Sequence, residues 1–262
     1  MKIHRLAFGL VGVIAAGFIS YFVLFPQVWY CQWVGYSDFK ALNAHFYVSP
    51  KSFPKHHQYA QKVVAEAEKR IQSFWGGRQG NPTIIVCYDP QEYAKFCHSD
   101  EGAGCSIGTP WGASYVVLNL DGINTDVIAH EMCHDELFTR LGWWKTTQQI
   151  PQWFNEGLAL MVDYRFVENN PPAQRYLDYK DECDYISNGG QVTLTLTEIS
   201  SMRGFFTGPE GRVMLAYMTS GMEVSRWLAA AGQPAIPALI KHLRDGRDFQ
   251  DVYQQLEAHK QP

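Results

Sequence analysis

The chain has no C-x-x-C pair, no cluster of basic residues, no internal repeat and no low-complexity tract. Without C-x-x-C, a thioredoxin-like redox role has no basis. With a formal net charge of −4 and no basic block, nucleic acid is not an expected partner. What remains is a chain of 262 residues, 46% hydrophobic, enough for one sizeable core.

Against that background stands His130-Glu131-Met132-Cys133-His134, an H-E-x-x-H pattern inside the apolar, helix-like stretch from Asp126 to Phe138. On an α-helix, residues four apart share a face. Two imidazoles can then close on one metal ion from a single rigid element. Glu131, turned about 100° from His130, can reach a water on the metal without ligating it. Zinc-activated water with a carboxylate as proton acceptor needs this arrangement. An accidental match arises in roughly 1–2 % of chains with this histidine and glutamate content. The bland alternative is an amphipathic helix with two unrelated histidines, so an independent feature is required.

Pro151-Gln152-Trp153-Phe154-Asn155-Glu156-Gly157-Leu158-Ala159 supplies it. It opens a second helix-like segment, and Glu156 is positioned to complete a His₂Glu set with one coordination position left for water. Taken alone, Glu156 reads as a solvated carboxylate in a first helical turn. Beside H-E-x-x-H, and flanked by Trp153, Phe154, Leu158 and Leu160, it reads as the third ligand.

H-E-x-x-H followed by W-F-N-E-G-L-A resembles the gluzincin metallopeptidases, the thermolysin and aminopeptidase N-like superfamily. The resemblance implies that His130, His134 and Glu156 bind zinc and that Glu131 is the general base. The ligand spacing is a few residues longer than in aminopeptidase N-like enzymes, and Leu141–Thr147 is expected to absorb this as an inter-helix loop. Tyr217-Met218-Thr219-Ser220-Gly221 resembles a helix start of these families, whose tyrosine donates to the tetrahedral oxyanion. A core aromatic on helix 212–231 is the alternative for Tyr217. Asp163, seven residues after Glu156, either orients a ligand histidine through its free N–H or pairs with a surface cation. Gly112–Val116 invites comparison with the amine-capturing segment of aminopeptidase N-like enzymes, and Tyr115 stands where those carry a glutamate. The implied activity is an endopeptidase acting on peptide or protein substrates. The competing class is a non-catalytic, zinc-stabilised binding or assembly module, closed by a fourth ligand such as Cys133.

Residues 6–25 form an uncharged, mostly apolar run preceded by Lys2 and Arg5. A helix of that length spans roughly 30 Å, a bilayer core. Pro26–Tyr30 offers no signal-peptidase site, so an uncleaved signal anchor is expected. Residues 1–5 would be cytoplasmic and the remainder exported, on the periplasmic side of a bacterial inner membrane. Residues 26–42 read as a linker and 43–262 as the peptidase domain. Six cysteines fit an oxidising compartment. Cys97–Cys105 is the simplest pair, and Cys133 reads as a buried thiol or a disulfide partner.

Strands are predicted at 45–48, 83–88 and 114–120, the last as an edge that binds extended peptide. Helices are predicted at 54–75, from Asp89-Pro90, and over 151–166, 209–231, 234–244 and 247–258. His56, His57 and His98 read as surface residues. The expected fold is α+β and zincin-like: a small mixed-sheet lobe and a helical lobe flank an active-site cleft, behind one N-terminal transmembrane helix.

Overall fold

The computed structural model of the chain describes residues 17–99 and 102–258. Five strands form one sheet: β1 (Lys40–Asn43), β2 (Phe46–Val48), β3 (Thr83–Val86), β4 (Gly104–Gly108) and β5 (Ser114–Leu118), in the order β1-β2-β3-β5-β4. β2, β3 and β5 run parallel, whereas β1 and β4 pair antiparallel at the two edges. Parallel neighbours need long crossovers. The β2–β3 crossover is α3 (Pro54–Trp75), and α4 (Pro90–Cys97) follows β3.

Both faces of the sheet are covered, and the strand pattern follows with period two. Ile84, Val86, Val116 and Leu118 pack into the main core with α3 and α5 (Thr125–Leu141). Ile85, Cys87, Tyr115 and Val117 face the other way, toward Cys31 and Val34 and toward Tyr93 and Phe96 of α4. Local chemistry fixes the helix ends. Pro54 opens α3 and Gly76 ends it at φ 67. The side chain of Asp89 accepts from Glu92 N at the start of α4, and that of Asn124 accepts from Val127 N at the start of α5.

The rest is helical: α6 (Trp143–Gln149), α7 (Gln152–Leu160), α8 (Pro172–Ile186), α9 (Met202–Phe206), α10 (Glu210–Ala231), α11 (Ala235–Arg244) and α12 (Phe249–Ala258). α10 lies against α7 and α8. At Gly157 of α7 an added Cβ would sit 2.4 Å from the Ser220 carbonyl oxygen and 2.6 Å from Val224 Cγ2. The obstacle is backbone, which has little freedom to give way. Gly157→Ala is therefore expected to destabilise the fold by about 1–3 kcal/mol, read as a lowered denaturant midpoint; an unchanged midpoint would contradict this packing.

Several expectations are corrected. The fold is a mixed α/β arrangement rather than α+β, because helical crossovers join its central parallel strands. The transmembrane helix is not borne out. Among the described residues no helix is long and apolar enough to cross a membrane. The described helical part of the 6–25 run is α1, residues 17–24, which extends only about 12 Å; residues 6–16 lie outside the described residues. The rings of Phe18, Tyr21 and Phe22 lie 6.1, 5.7 and 6.0 Å from Trp111, so this segment packs on the domain. With the span goes the expected address on the periplasmic face of a bacterial membrane.

The linker reading of 26–42 also gives way. It contains α2 (Pro26–Gln32), a 3₁₀ turn at Val34–Tyr36 and the start of β1, and Val28, Cys31 and Val34 are buried. Leu141–Thr147 is no loop, since α6 occupies most of it. α7 stops at Leu160 instead of 166. There Arg175 Nη2 donates to the Leu160 carbonyl at 2.7 Å, and Arg70 Nη1 donates to the Val162 carbonyl at 2.8 Å. These bonds take carbonyls that a continuing helix would have used. β5 is an interior strand and β4 the edge. His57 is buried, with its Nε2 2.7 Å from Ser52 Oγ.

Candidate metal centre

α5 carries its H-E-x-x-H segment almost wholly buried, because the sheet and α3 cover one side and α7 the other. α7 brings Glu156 across to it. His130 Nε2 lies 3.2 Å and His134 Nε2 3.6 Å from the same atom, Glu156 Oε2. The three ligand atoms lie within 4.8 Å of one another, and this buried group can hold a metal ion. It is the one such group of three among the described residues.

Each of the three side chains also has a polar neighbour on its outward side. Asp163 Oδ2 faces His130 Nδ1 at 3.3 Å, and Asn155 Oδ1 lies 2.9 Å from His134 Nδ1. His134 Nδ1–H directed at the Asn155 oxygen leaves its Nε2 lone pair for the centre, whereas His130 Nδ1 faces the Asp163 carboxylate at ion-pair distance without hydrogen-bond geometry. Gln152 Nε2 donates to Glu156 Oε1 at 2.7 Å, which leaves Oε2 for the centre. Arg165 grips Asp163 through Nε at 2.9 Å and Nη2 at 2.6 Å. The donor chemistry, two imidazoles and one carboxylate with fixed orientations, fits a divalent metal.

Electrostatics agree with this reading. Burial opposes charge at His130, but the carboxylates of Asp163 and Glu156 outweigh it and hold the imidazole up to about 10. Burial likewise opposes ionisation of Glu156, yet the two histidines hold its carboxyl well below the usual range. Glu131 is shifted upward, chiefly by burial. Because the neighbouring carboxylates favour a proton on His130 in the metal-free site, metal uptake in the neutral range is expected to displace it. Apparent affinity is therefore expected to rise about tenfold per pH unit for each proton released. Calorimetric titrations of metal into the protein, run in buffers of different ionisation enthalpy, measure this; zero proton release would contradict it.

Glu131 does not join the ligand group. It borders the cavity beside it, where an added Cβ on Gly104 of β4 would meet Glu131 Cγ at 3.0 Å. That cavity, about 520 Å³, is bounded by Glu131, both histidines, Glu156, Phe138 and Tyr217, among others. Tyr217, on α10, has its ring 6.4 Å from that of His130 and 5.0 Å from that of Phe205. Burial pushes its hydroxyl upward, so it stays protonated and able to donate.

Asp163 reaches His130 from a turn after α7 rather than along a continued helix. Tyr115 is absent from the cleft: it is buried on the far face of the sheet, and its hydroxyl donates to Gln32 Oε1 at 3.0 Å. Cys133 is buried in the main core as a free thiol outside the ligand group, and burial pushes its thiol up. Cys97 and Cys105 are joined, with Cα atoms 6.1 Å apart, which ties the end of α4 to β4. Asn155, Gln152 and Arg165 escaped the sequence reading. Gln152 stands four residues before Glu156, so helical spacing was an available signal for it. Comparison with protein families and with curated proteins finds no match for this chain.

Proposed function

We propose that the protein is a zinc-dependent peptidase of the gluzincin type, cutting peptide bonds within a polypeptide substrate. The observation that carries the reading is the division of labour around one cavity: His130, His134 and Glu156 converge as ligands, while Glu131 borders the cavity without joining them. Zinc held there supplies a Lewis acid that polarises a carbonyl and acidifies a water. Glu131 takes the proton of the attacking water and delivers it to the departing amine nitrogen. Its upward shift by burial suits both halves of that task. The Tyr217 hydroxyl donates to the oxyanion of the tetrahedral intermediate. The outer edge of β4, which pairs with no strand among the described residues, aligns an extended substrate by backbone hydrogen bonds.

The non-catalytic alternative needs a closed set of four ligands. Among the described residues three converge, and Cys133 is not with them. Chelator-stripped protein is expected to lose hydrolysis of unfolded casein and to regain it on addition of one equivalent of zinc. Hydrolysis that persists after complete metal removal would sink the proposal.

A further inference from the structure

All three residues of the metal group line one cavity, and a second, smaller cavity adjoins it at His130. The larger, about 520 Å³, lies toward His134, Phe138 and Met202. The smaller, about 230 Å³, lies toward Val127, Phe166 and Met214, and Arg165 lines it. Gly102, Gly104, His130, Glu131 and Tyr217 border both. Among the described residues lining the smaller cavity, Arg165 is the cation that faces no ligand atom, and Glu131 is the acid.

Arg165 is half committed. Its Nε and Nη2 hold Asp163, whereas its Nη1 has no acceptor among the described residues, and the side chain is 35% exposed. One side of the guanidinium is therefore anchored and the other free to bind. The anchor removes much of the rotamer freedom that an unattached arginine would lose on binding.

The edge strand adds a direction. Ala103, just before β4, borders the smaller cavity alone, Gly104 borders both, and Cys105 and Ser106, further along, border the larger alone. An extended peptide pairing antiparallel to β4, the stronger of the two modes, runs from the larger cavity past the metal group into the smaller. Its carboxyl-terminal side then meets Arg165. The reverse orientation would bring an amino-terminal ammonium toward a guanidinium.

Building on the peptidase reading, we infer that the smaller cavity is a carboxylate subsite, in which Arg165 Nη1 receives the substrate's carboxylate and so directs cleavage to bonds near a C-terminus. Hydrolysis places the water oxygen on the scissile carbonyl carbon, breaks the C–N bond and releases the short C-terminal fragment as the amine. A C-terminal carboxylate and an acidic side chain offer the same chemistry, and the test separates them.

Zinc-loaded full-length protein is assayed on N-acetylated alanine hexapeptides carrying one phenylalanine. Each is prepared as the free acid, as the C-terminal amide, and as the amide with a penultimate glutamate. The free acid is expected to exceed the plain amide by about tenfold or more in kcat/KM, mainly through KM, as a charge-assisted hydrogen bond provides. Arg165→Gln should reduce that ratio to less than about twofold, whatever it does to the absolute rate. Glutamate amides cleaved as well as free acids identify a side-chain carboxylate as the occupant. Acid and amide cleaved equally by the wild type would overturn the inference. So would a loss in Arg165→Gln that falls equally on both, which marks a role only through Asp163. Equilibrium binding of the same peptides to zinc-loaded Glu131→Gln separates the two layers. Acid-selective binding without hydrolysis of any peptide by the wild type removes the peptidase reading and keeps the subsite, and hydrolysis without acid selectivity does the reverse.

Discussion

Glu131→Gln should bind zinc as the wild type does and hydrolyse unfolded protein about 10²- to 10⁴-fold more slowly, the range associated with a positioned general base. The expectation rests on where the carboxyl sits. Glu131 lies one residue from His130, yet the helix turns it away from the ligand group and toward the cavity wall at Gly104. Replacing it with the isosteric amide keeps the packing and removes the proton acceptor. Burial and the like-charged Glu156 raise the affinity of Glu131 for a proton, while the histidines lower it. The activity lost is thus a proton-transfer effect, and the zinc content measured alongside serves as the control. A variant that keeps both zinc and full activity would remove Glu131 from the mechanism.

Asp163→Asn should weaken zinc binding by about 10- to 100-fold, as loss of an outer carboxylate does at such sites. Asp163 is fully buried, faces His130 Nδ1 at 3.3 Å and is gripped by Arg165. Burial alone would raise its carboxyl, but His130 and Arg165 outweigh burial and hold it well below its usual range. The amide keeps the volume and gives up the charge. His130 then loses the carboxylate that raises its basicity. A competition titration against a chromophoric chelator measures the change, and an unaltered affinity would mean that Asp163 serves only Arg165.

The metal group was legible in the sequence because its spacing is a property of the helix. His130 and His134 stand four apart, and one turn of helix brings them together whatever the tertiary structure. Glu156 needed a second element, yet its aromatic flanks announced a buried helix. The residues around them were legible only in part. Asp163 was reached by assuming that α7 continues, whereas α7 ends at Leu160 and a turn delivers the carboxylate. Asn155 adjoins Glu156 in the chain, but it serves His134 because α7 crosses α5 at this point, a tertiary fact.

The larger misses share one cause: local composition outweighed packing. β4 is Gly-Cys-Ser-Ile-Gly, with a glycine at each end and little β-propensity. It becomes a strand because β5 pairs with it and the Cys97–Cys105 bridge holds it. With β4 unseen, the edge was assigned to β5, and Tyr115 was compared with a cleft residue although it faces the opposite side of the sheet. The apolar run at 6–25 has the length of a bilayer span, but its described part closes on Trp111. Hydropathy does not distinguish an aromatic patch that packs on protein from one that meets lipid.

The most direct test of the central claim is X-ray absorption at the zinc edge of the stoichiometrically loaded protein. The site described here should give nitrogen and oxygen neighbours at about 2.0–2.2 Å, two of them imidazoles, with no sulfur. A sulfur scatterer at about 2.3 Å would bring Cys133 into the set and mark a structural site, contradicting the peptidase.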